Sequence, residues 1–243
     1  MSAPRFFCPV NLALGATVSL TDSAAHHASR VLRLKAGDAL TLFNGDGNDY
    51  AGEILRIGKE GVAAKIVGMA AASSESPLRV TLAQAISSGD RMDFTLQKAV
   101  ELGVATIQPL AAERSVVKLA GEKIARRREH WQNVVISACE QSGRATVPAV
   151  LLPLPLLDWL GAREEFALKL MLSPSAERTL HDLQSPAGPI CLLIGCEGGF
   201  SPQEQLAATS CGFTPVKLGA RVLRTETAAL AALAAIQTAW GDF

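Results

Sequence analysis

The chain has 243 residues, about half of them hydrophobic, which is enough for one large domain or two modest ones. Its 23 basic residues balance its 23 acidic ones. That balance excludes a global electrostatic pull towards nucleic acid or an anionic membrane, though not a local basic patch. The five cysteines, Cys8, Cys139, Cys191, Cys196 and Cys211, are scattered, odd in number and without metal-ligand spacing. They read as reduced core thiols of a cytoplasmic protein, and no metal site is expected.

In chain order, the first ten residues, "MSAPRFFCPV", lack a signal-peptide pattern. Residues 1–70 then read as short strands, "ATVSLT", "ALTLFNG", "DYAGEILRI" and "GVAAKIVGM", separated by turn clusters such as "NGDGND" and "GKEG". Within them "AAHHASRVLRLKAGD" reads as a short helix or turn carrying His26, His27, Arg30, Arg33 and Lys35. Residues 71–77, "AASSESP", are small and polar, end in proline and fit a linker.

From Leu78 strands and helices alternate. "LRVTLAQAI" is a strand and "DRMDFTLQKAVELGV" a helix, with Met92, Leu96, Ala99, Val100 and Gly103 at helical spacing. "ATIQPLA" is a strand, followed by the long helix "GEKIARRREHWQNVVISACEQSG". Strands follow at "EFALKLMLSP" and "PICLLIG", a helix at "SPQEQLAATSCG", a strand at "FTPVKLG" and a last helix at "RTETAALAALAAIQTAW". This grammar predicts an α/β domain with a mostly parallel sheet covered on both faces. The last helix contains Glu226 and Gln237 and is too short and interrupted to span a bilayer, so no membrane is expected.

Two strand ends stand out. "LLIGCEGGFSPQE", residues 192–204, leaves a buried strand through three glycines and enters a helix with Ser201 as N-cap, Pro202 at the first helical position and Glu204 completing a capping box. "VKLGARVLRTETAAL", residues 216–230, repeats the pattern with Arg221 and Arg224 in the loop and Thr225 or Thr227 as cap. Carboxyl ends of parallel strands are where ligands bind in open α/β sheets. The two loops therefore predict one shared cleft. The phosphate-loop lysine pattern and G-x-G-x-x-G are both absent, which points away from triphosphates and ordinary dinucleotides. The residues alone lead to a small adenosine-like or acidic ligand.

These segments also carry a resemblance. "IGCEGGFSPQE" resembles I-G-P-E-G-G-F-S-x-x-E, and "LGARVLRTETA" resembles L-G-x-R-I-L-R-x-E-T-A, two motifs of the ribosomal RNA small subunit methyltransferase E family. "DRMDFTLQKAVELGVATIQPLAAERSVV", "HWQNVVISACEQSGR", "PRFF" and "HHASRVLRLKAGD" are similar to its other motifs, in the same order along nearly the whole chain. Cys196 departs from the pattern, standing where the family usually has proline, which frees the φ angle at that position.

The resemblance implies a PUA-like β-barrel over 1–70, a linker at 71–77 and a SPOUT-type α/β domain with a deep trefoil knot over 78–243. It implies S-adenosylmethionine-dependent methylation of N3 of a uridine in 16S rRNA, on the RNA or on the assembled 30S subunit. A cytoplasmic homodimer with each active site near the subunit interface is implied as well. The cofactor would lie against Leu172, Gly195, Gly199, Leu218, Leu223 and Thr227. Uracil N3 carries a weakly acidic proton, so Glu197 and Glu226 are candidate bases. Arg221 and Arg224 are candidate stabilisers of the ring anion. Arg5, His27, Arg30 and Arg33 are the expected RNA contacts, while the run Arg126–Arg128 reads first as a solvated helix face. Competing readings are a non-catalytic RNA-binding protein with a degenerate knotted domain and a small-molecule α/β enzyme with a β appendage.

Overall fold

The computed structural model of the protein describes residues 3–115, 121–162 and 165–243. The chain divides into two compact units, the first Met1–Glu75 with Cys139–Val147, the second Ser76–Ala138 with Pro148–Phe243.

In the first unit five strands, β1 (Arg5–Phe7), β2 (Thr17–Ser19), β3 (Ala39–Phe43), β4 (Asn48–Gly58) and β5 (Gly61–Ala71), form one sheet in the order β1-β3-β4-β5-β2. β3, β4 and β5 are an antiparallel meander, and β1 pairs parallel with β3. Alternation places Tyr50, Gly52 and Ile54 of β4 inwards and Ala51, Glu53 and Leu55 outwards. Tyr50 and Ile54 pack with Phe6, Leu40, Leu42 and Ile66 into one core. β1 lies outside the expected strands, because three residues are too few to show a period of two. The expected helix or turn is a short helix, α1 (Asp22–His26), whose N-cap Thr21 Oγ1 accepts the Ala24 N–H at 3.3 Å. It runs into a π-helical turn, His27–Val31, and ends at Arg33 with φ of 54°.

The expected boundaries 1–70, 71–77 and 78–243 divide the chain in two consecutive pieces. In the structure residues 139–147 return to the first unit. Two contacts explain why. The Glu75 carboxylate accepts hydrogen bonds from the Arg144 guanidinium at 2.8 and 3.1 Å and from the Ala145 and Thr146 backbone N–H groups. The Phe7 N–H donates to Glu140 at 3.0 Å. Position 75, expected as linker, is thus an anchor.

The second unit follows the expected alternation: β6 (Val80–Ala85), α2 (Gly89–Glu101), β7 (Thr106–Ala111), α3 (Glu122–Ser142, whose last residues from Cys139 belong to the first unit), β8 (Ala149–Val150), β9 (Leu154–Pro155), α4 (Leu156–Gly161), β10 (Leu168–Leu172), β11 (Ile190–Ile194), α5 (Pro202–Ser210), β12 (Thr214–Val216) and α6 (Thr225–Trp240). The strands described here pair in parallel, in the order β12-β10-β11-β6-β7-β8 with β9 beside β7. β8, β9 and α4 are too short to read from periodicity. Every residue of β11 is buried, as its unbroken apolar run requires of a strand covered on both faces. On one face Ala83, Ala85, Met171, Cys191 and Leu193 pack with Leu156, Trp159 and Leu160 of α4 and Ala208 of α5. On the other, α6 lies against β11 and α2.

Candidate active site

The cleft forms where three adjacent strands of the order β12-β10-β11 end. Met171 and Leu172 from β10, Ile194 from β11 and Val216 from β12 line its floor. The loops that follow these strands form its walls, and its volume is about 610 Å³, within the range of small-molecule sites. The chain after β12 is stitched to the chain after β10, with Ser173 N–H donating to the Val216 carbonyl and Lys217 N–H to the Arg178 carbonyl. Position at strand ends, alternating glycine and apolar lining, and this volume fit an adenosine-sized ligand.

The glycine loop is held in shape from within and from both sides. Gly199 N–H closes a turn onto the Cys196 carbonyl at 2.9 Å. Gly195 approaches Gly199 so closely that a Cβ on it would sit 3.1 Å from the Gly199 Cα, and Gly199 itself adopts φ of 66°. On one side, Glu197 Oε1 accepts from the Ser88 N–H and Oγ, both at 3.1 Å, and from Arg91 at 2.9 Å. Ser88 is the N-cap of α2 and makes no cap bond of its own, so the Glu197 carboxylate serves that helix end instead. On the other side, Arg114 donates to the Gly198 carbonyl at 3.0 Å. The capping box of α5 is present as expected, with Glu204 Oε2 accepting the Ser201 N–H, and its other oxygen takes the Glu113 N–H at 2.7 Å. One carboxylate thereby caps a helix and ties it to the loop after β7.

Thr225 does not cap α6. Arg224 occupies the N-cap without a side-chain bond. The Thr225 hydroxyl instead donates to the Gly195 carbonyl at 2.6 Å and accepts from Gln84 at 3.0 Å, joining the ends of β6, β11 and the start of α6. Tertiary demand overrides the local capping preference here. Of the expected cofactor residues, Leu172, Gly195, Gly199, Leu218 and Leu223 line the cleft; Thr227 does not, facing solvent from the first turn of α6. Thr225 and Ala228 line it in its place. Glu197, Arg221 and Arg224 all line it, whereas Glu226 does not. Sequence reading missed Arg91 and Arg114, which reach the cleft from α2 and from the loop after β7, far away along the chain. Their signal lies in the quoted segment "DRMDFTLQKAVELGVATIQPLAAERSVV", but nothing in its spacing places them at the glycine loop.

Burial acts to raise the Glu197 carboxyl, but the hydrogen bonds from its own backbone N–H, from Ser88 and from Arg91 outweigh it and hold the group below the usual range. In the first unit Arg5 is committed to structure: it is bidentate to Asp49 at 2.8 Å, donates to the Arg144 carbonyl and stacks on Phe43. His27 is exposed and meets Phe6 edge to face. Arg30 and Arg33 are exposed, and their side chains have no hydrogen-bond or ion-pair partner among the described residues. The run on α3 is used locally, Arg126 towards Glu122, Arg127 over Trp131 and Arg128 to the Val150 carbonyl.

Comparison with known proteins agrees with this geometry. Residues 74–237 match an RNA methyltransferase domain and residues 20–67 an RNA methyltransferase PUA domain. The chain is 39% identical to the ribosomal RNA small subunit methyltransferase E of Buchnera aphidicola (Schizaphis graminum), over 98% of this chain and 97% of the relative. It is 31% identical to that of Bacillus subtilis over 90% and 89%. The Neisseria gonorrhoeae enzyme of the same name, solved bound to S-adenosyl methionine, superposes with a TM-score of 0.93 at 46% identity over the whole of both chains. A Legionella pneumophila protein solved with the bound cofactor SAM gives 0.96 at 41% identity, again over the whole of both chains. Fold and cleft together define an RNA methyltransferase in which a PUA domain precedes an α/β methyltransferase domain built on a parallel sheet. Within that class the chain belongs to the ribosomal RNA small subunit methyltransferase E family.

Proposed function

We propose that this protein methylates N3 of a uridine in 16S rRNA, as free RNA or within the 30S subunit, using S-adenosylmethionine held in the cleft at the ends of β10, β11 and β12. The observation that carries the reading is the junction of both glycine-bearing loops in one cleft of ligand size, in a chain whose solved relatives bind that cofactor. When bound, the cofactor supplies an electrophilic methyl group. Leu172, Leu218 and Leu223 offer apolar contact, and Gly195 and Gly199 leave backbone groups accessible. Arg221 and Arg224 line the cleft and are exposed, which leaves both guanidinium groups available to RNA phosphate or to the target base. Positioning of the two reactants supplies much of the rate, up to about 7–11 kcal/mol by effective molarity.

The first unit binds RNA through His27, Arg30 and Arg33. Support comes from the π-helical turn and the left-handed Arg33, a conformation that favours glycine but here carries an exposed cation with no side-chain partner among the described residues. Arg5 takes part only by holding the sheet. A trefoil knot in the C-terminal domain belongs to this reading through the motif resemblance. The face of α6 that carries Thr227, Ala231, Ala234 and Thr238 retains exposure and is made of small side chains, which supports close approach of a second copy in a homodimer. The protein works in the cytoplasm. Among the described residues no helix is long and apolar enough to cross a membrane.

The test is calorimetric titration with S-adenosylmethionine followed by methyl transfer to unmodified 16S rRNA and 30S subunits, with the product nucleoside assigned by mass spectrometry. The expected outcome is saturable cofactor binding and N3-methyluridine at one position. Binding of RNA without binding of the cofactor would instead mark a non-catalytic protein.

A further inference from the structure

Glu197 is poorly placed to take up a proton. Its Oε1 already accepts from Ser88 N–H, Ser88 Oγ and Arg91, contacts that favour the charged form and so lower its basicity. The same contacts accomplish something else: they fix the Arg91 guanidinium at the cleft. Arg114 is fixed there separately through the Gly198 carbonyl. With Lys217, Arg221 and Arg224, five cations face the cleft against the single carboxylate of Glu197, in a chain whose charges balance overall. No other carboxylate and no histidine lines the cleft among the described residues.

We infer that Glu197 is a positioning residue, and that Arg91 and Arg114, held through Glu197 and Gly198, seat the anion that the target ring becomes on losing its proton. This rests on the uracil-N3 reading above. In the step concerned the N3–H bond breaks and its electron pair stays on the ring, shared with the flanking carbonyl oxygens. The proton passes to solvent hydroxide, giving water. The ring nitrogen then uses that pair for its new bond to the methyl carbon, while the bond from that carbon to the sulfonium sulfur breaks and its pair stays on sulfur as a neutral thioether; both guanidinium groups keep their protons. Cations beside the ring favour its ionised form and so lower its pKa, and each unit of lowering raises the ionised fraction at neutral pH about tenfold. Preorganised cations in a cleft need no reorganisation as the charge develops. Arginine suits the role because it stays charged throughout the pH range of the reaction.

The experiment is single-turnover methyl transfer to unmodified 16S rRNA at saturating RNA, followed from about pH 6 to about pH 10 so as to bracket the ring ionisation, with S-adenosylmethionine affinity measured calorimetrically on the same proteins. The wild-type rate is expected to rise with unit slope to a plateau. Arg91→Ala and Arg114→Ala are each expected to lower the neutral-pH rate about tenfold or more and to move the plateau to higher pH. Arg91→Lys should restore part of the loss. Arg91→Ala and Arg114→Ala each release a tie on the glycine loop, so cofactor affinity is expected to weaken as well, and the rates are compared at saturating S-adenosylmethionine so that the shift of the pH profile reports the ring ionisation alone. Glu197→Gln still accepts hydrogen bonds from Ser88 and Arg91, so it should lose less than about tenfold and keep the rise with pH. In the cofactor-free protein, a denaturant double-mutant cycle between Arg91→Ala and Glu197→Gln should show coupling rather than additivity. A loss of about 10²-fold or more in Glu197→Gln, recovered at high pH, with unshifted profiles in both arginine variants, would make Glu197 the base and overturn the inference alone. Absence of cofactor binding in the wild type would overturn the functional reading and this inference together.

Discussion

A single carboxylate shows how much of the site depends on side-chain partners. Glu197 has one quarter of its side chain exposed, 26%, and its folded-state pKa is lowered by its hydrogen bonds despite burial acting the other way. The sign follows directly. A carboxyl that is more acidic in the folded state stabilises the fold above its unfolded value, about 4.3, and that contribution is lost as pH falls through the lower, folded value. Denaturant midpoints of wild type and Glu197→Gln should therefore differ near neutral pH, with wild type the more stable, and the gap should narrow as pH falls below about 4.3. A gap independent of pH would assign the effect to packing. Arg33 offers a second case. Its φ of 54° costs a non-glycine residue roughly 1–2 kcal/mol, part of which glycine recovers. Arg33→Gly is expected to leave thermal stability unchanged or higher while weakening RNA binding, read by a melt and a filter-binding titration. Lower stability with unchanged RNA affinity would show that the side chain serves the fold.

Among the elements, the start of α6 carries the clearest test. Thr225 joins the Gly195 carbonyl to Gln84, although its place in sequence suggests a helix cap. Thr225→Val keeps the shape and removes both bonds, leaving the Gly195 carbonyl without this donor. We expect a loss of about 1–3 kcal/mol in denaturant unfolding, with weaker S-adenosylmethionine binding because the glycine loop loses its tie. A change in stability with unaltered cofactor affinity would mean that the loop keeps its shape without Thr225. α5 behaves differently. Ser201, Pro202 and Glu204 predict its start from local chemistry, and the capping box is there. Local signals decide an element's boundary when its partners lie within one turn; they fail when a side chain finds a stronger partner elsewhere.

At the scale of the molecule, charge balance conceals local asymmetry. The cleft wall is strongly cationic and the turn at His27–Arg33 carries exposed arginines, though the whole chain sums to zero. RNA affinity should accordingly depend on salt. The Arg30→Ala/Arg33→Ala double variant is expected to reduce the slope of log affinity against log salt by about one unit for each phosphate no longer neutralised, with cofactor affinity unchanged. An unchanged slope would move RNA binding to another surface. For the proposed homodimer, Ala231→Arg places a long cation on the small-residue face of α6, and light scattering should then report a monomer. A wild-type monomer at micromolar concentration with full activity would remove the dimer from the mechanism.

The sequence by itself determined the two kinds of architecture, the order of most strands and helices, and the two loops that meet at the cleft. These are written in short-range patterns: a period of two in β4, an unbroken apolar run in β11, a capped helix start at Ser201. Motif resemblance added the cofactor and the RNA, which no periodicity encodes. Only the tertiary structure decided which residues complete the site. Arg91 and Arg114 reach Glu197 and Gly198 across 106 and 84 positions of chain, Gln84 reaches Thr225 across 141, and Glu75 holds the segment from Arg144 to Thr146. The pairings at the site depend on the strand order β12-β10-β11-β6-β7-β8, which brings distant loops to the same end of one sheet. Thr227 left the expected set for the same reason, since the rotation of α6 against β11 and α2, and not its own residue type, turns it towards solvent.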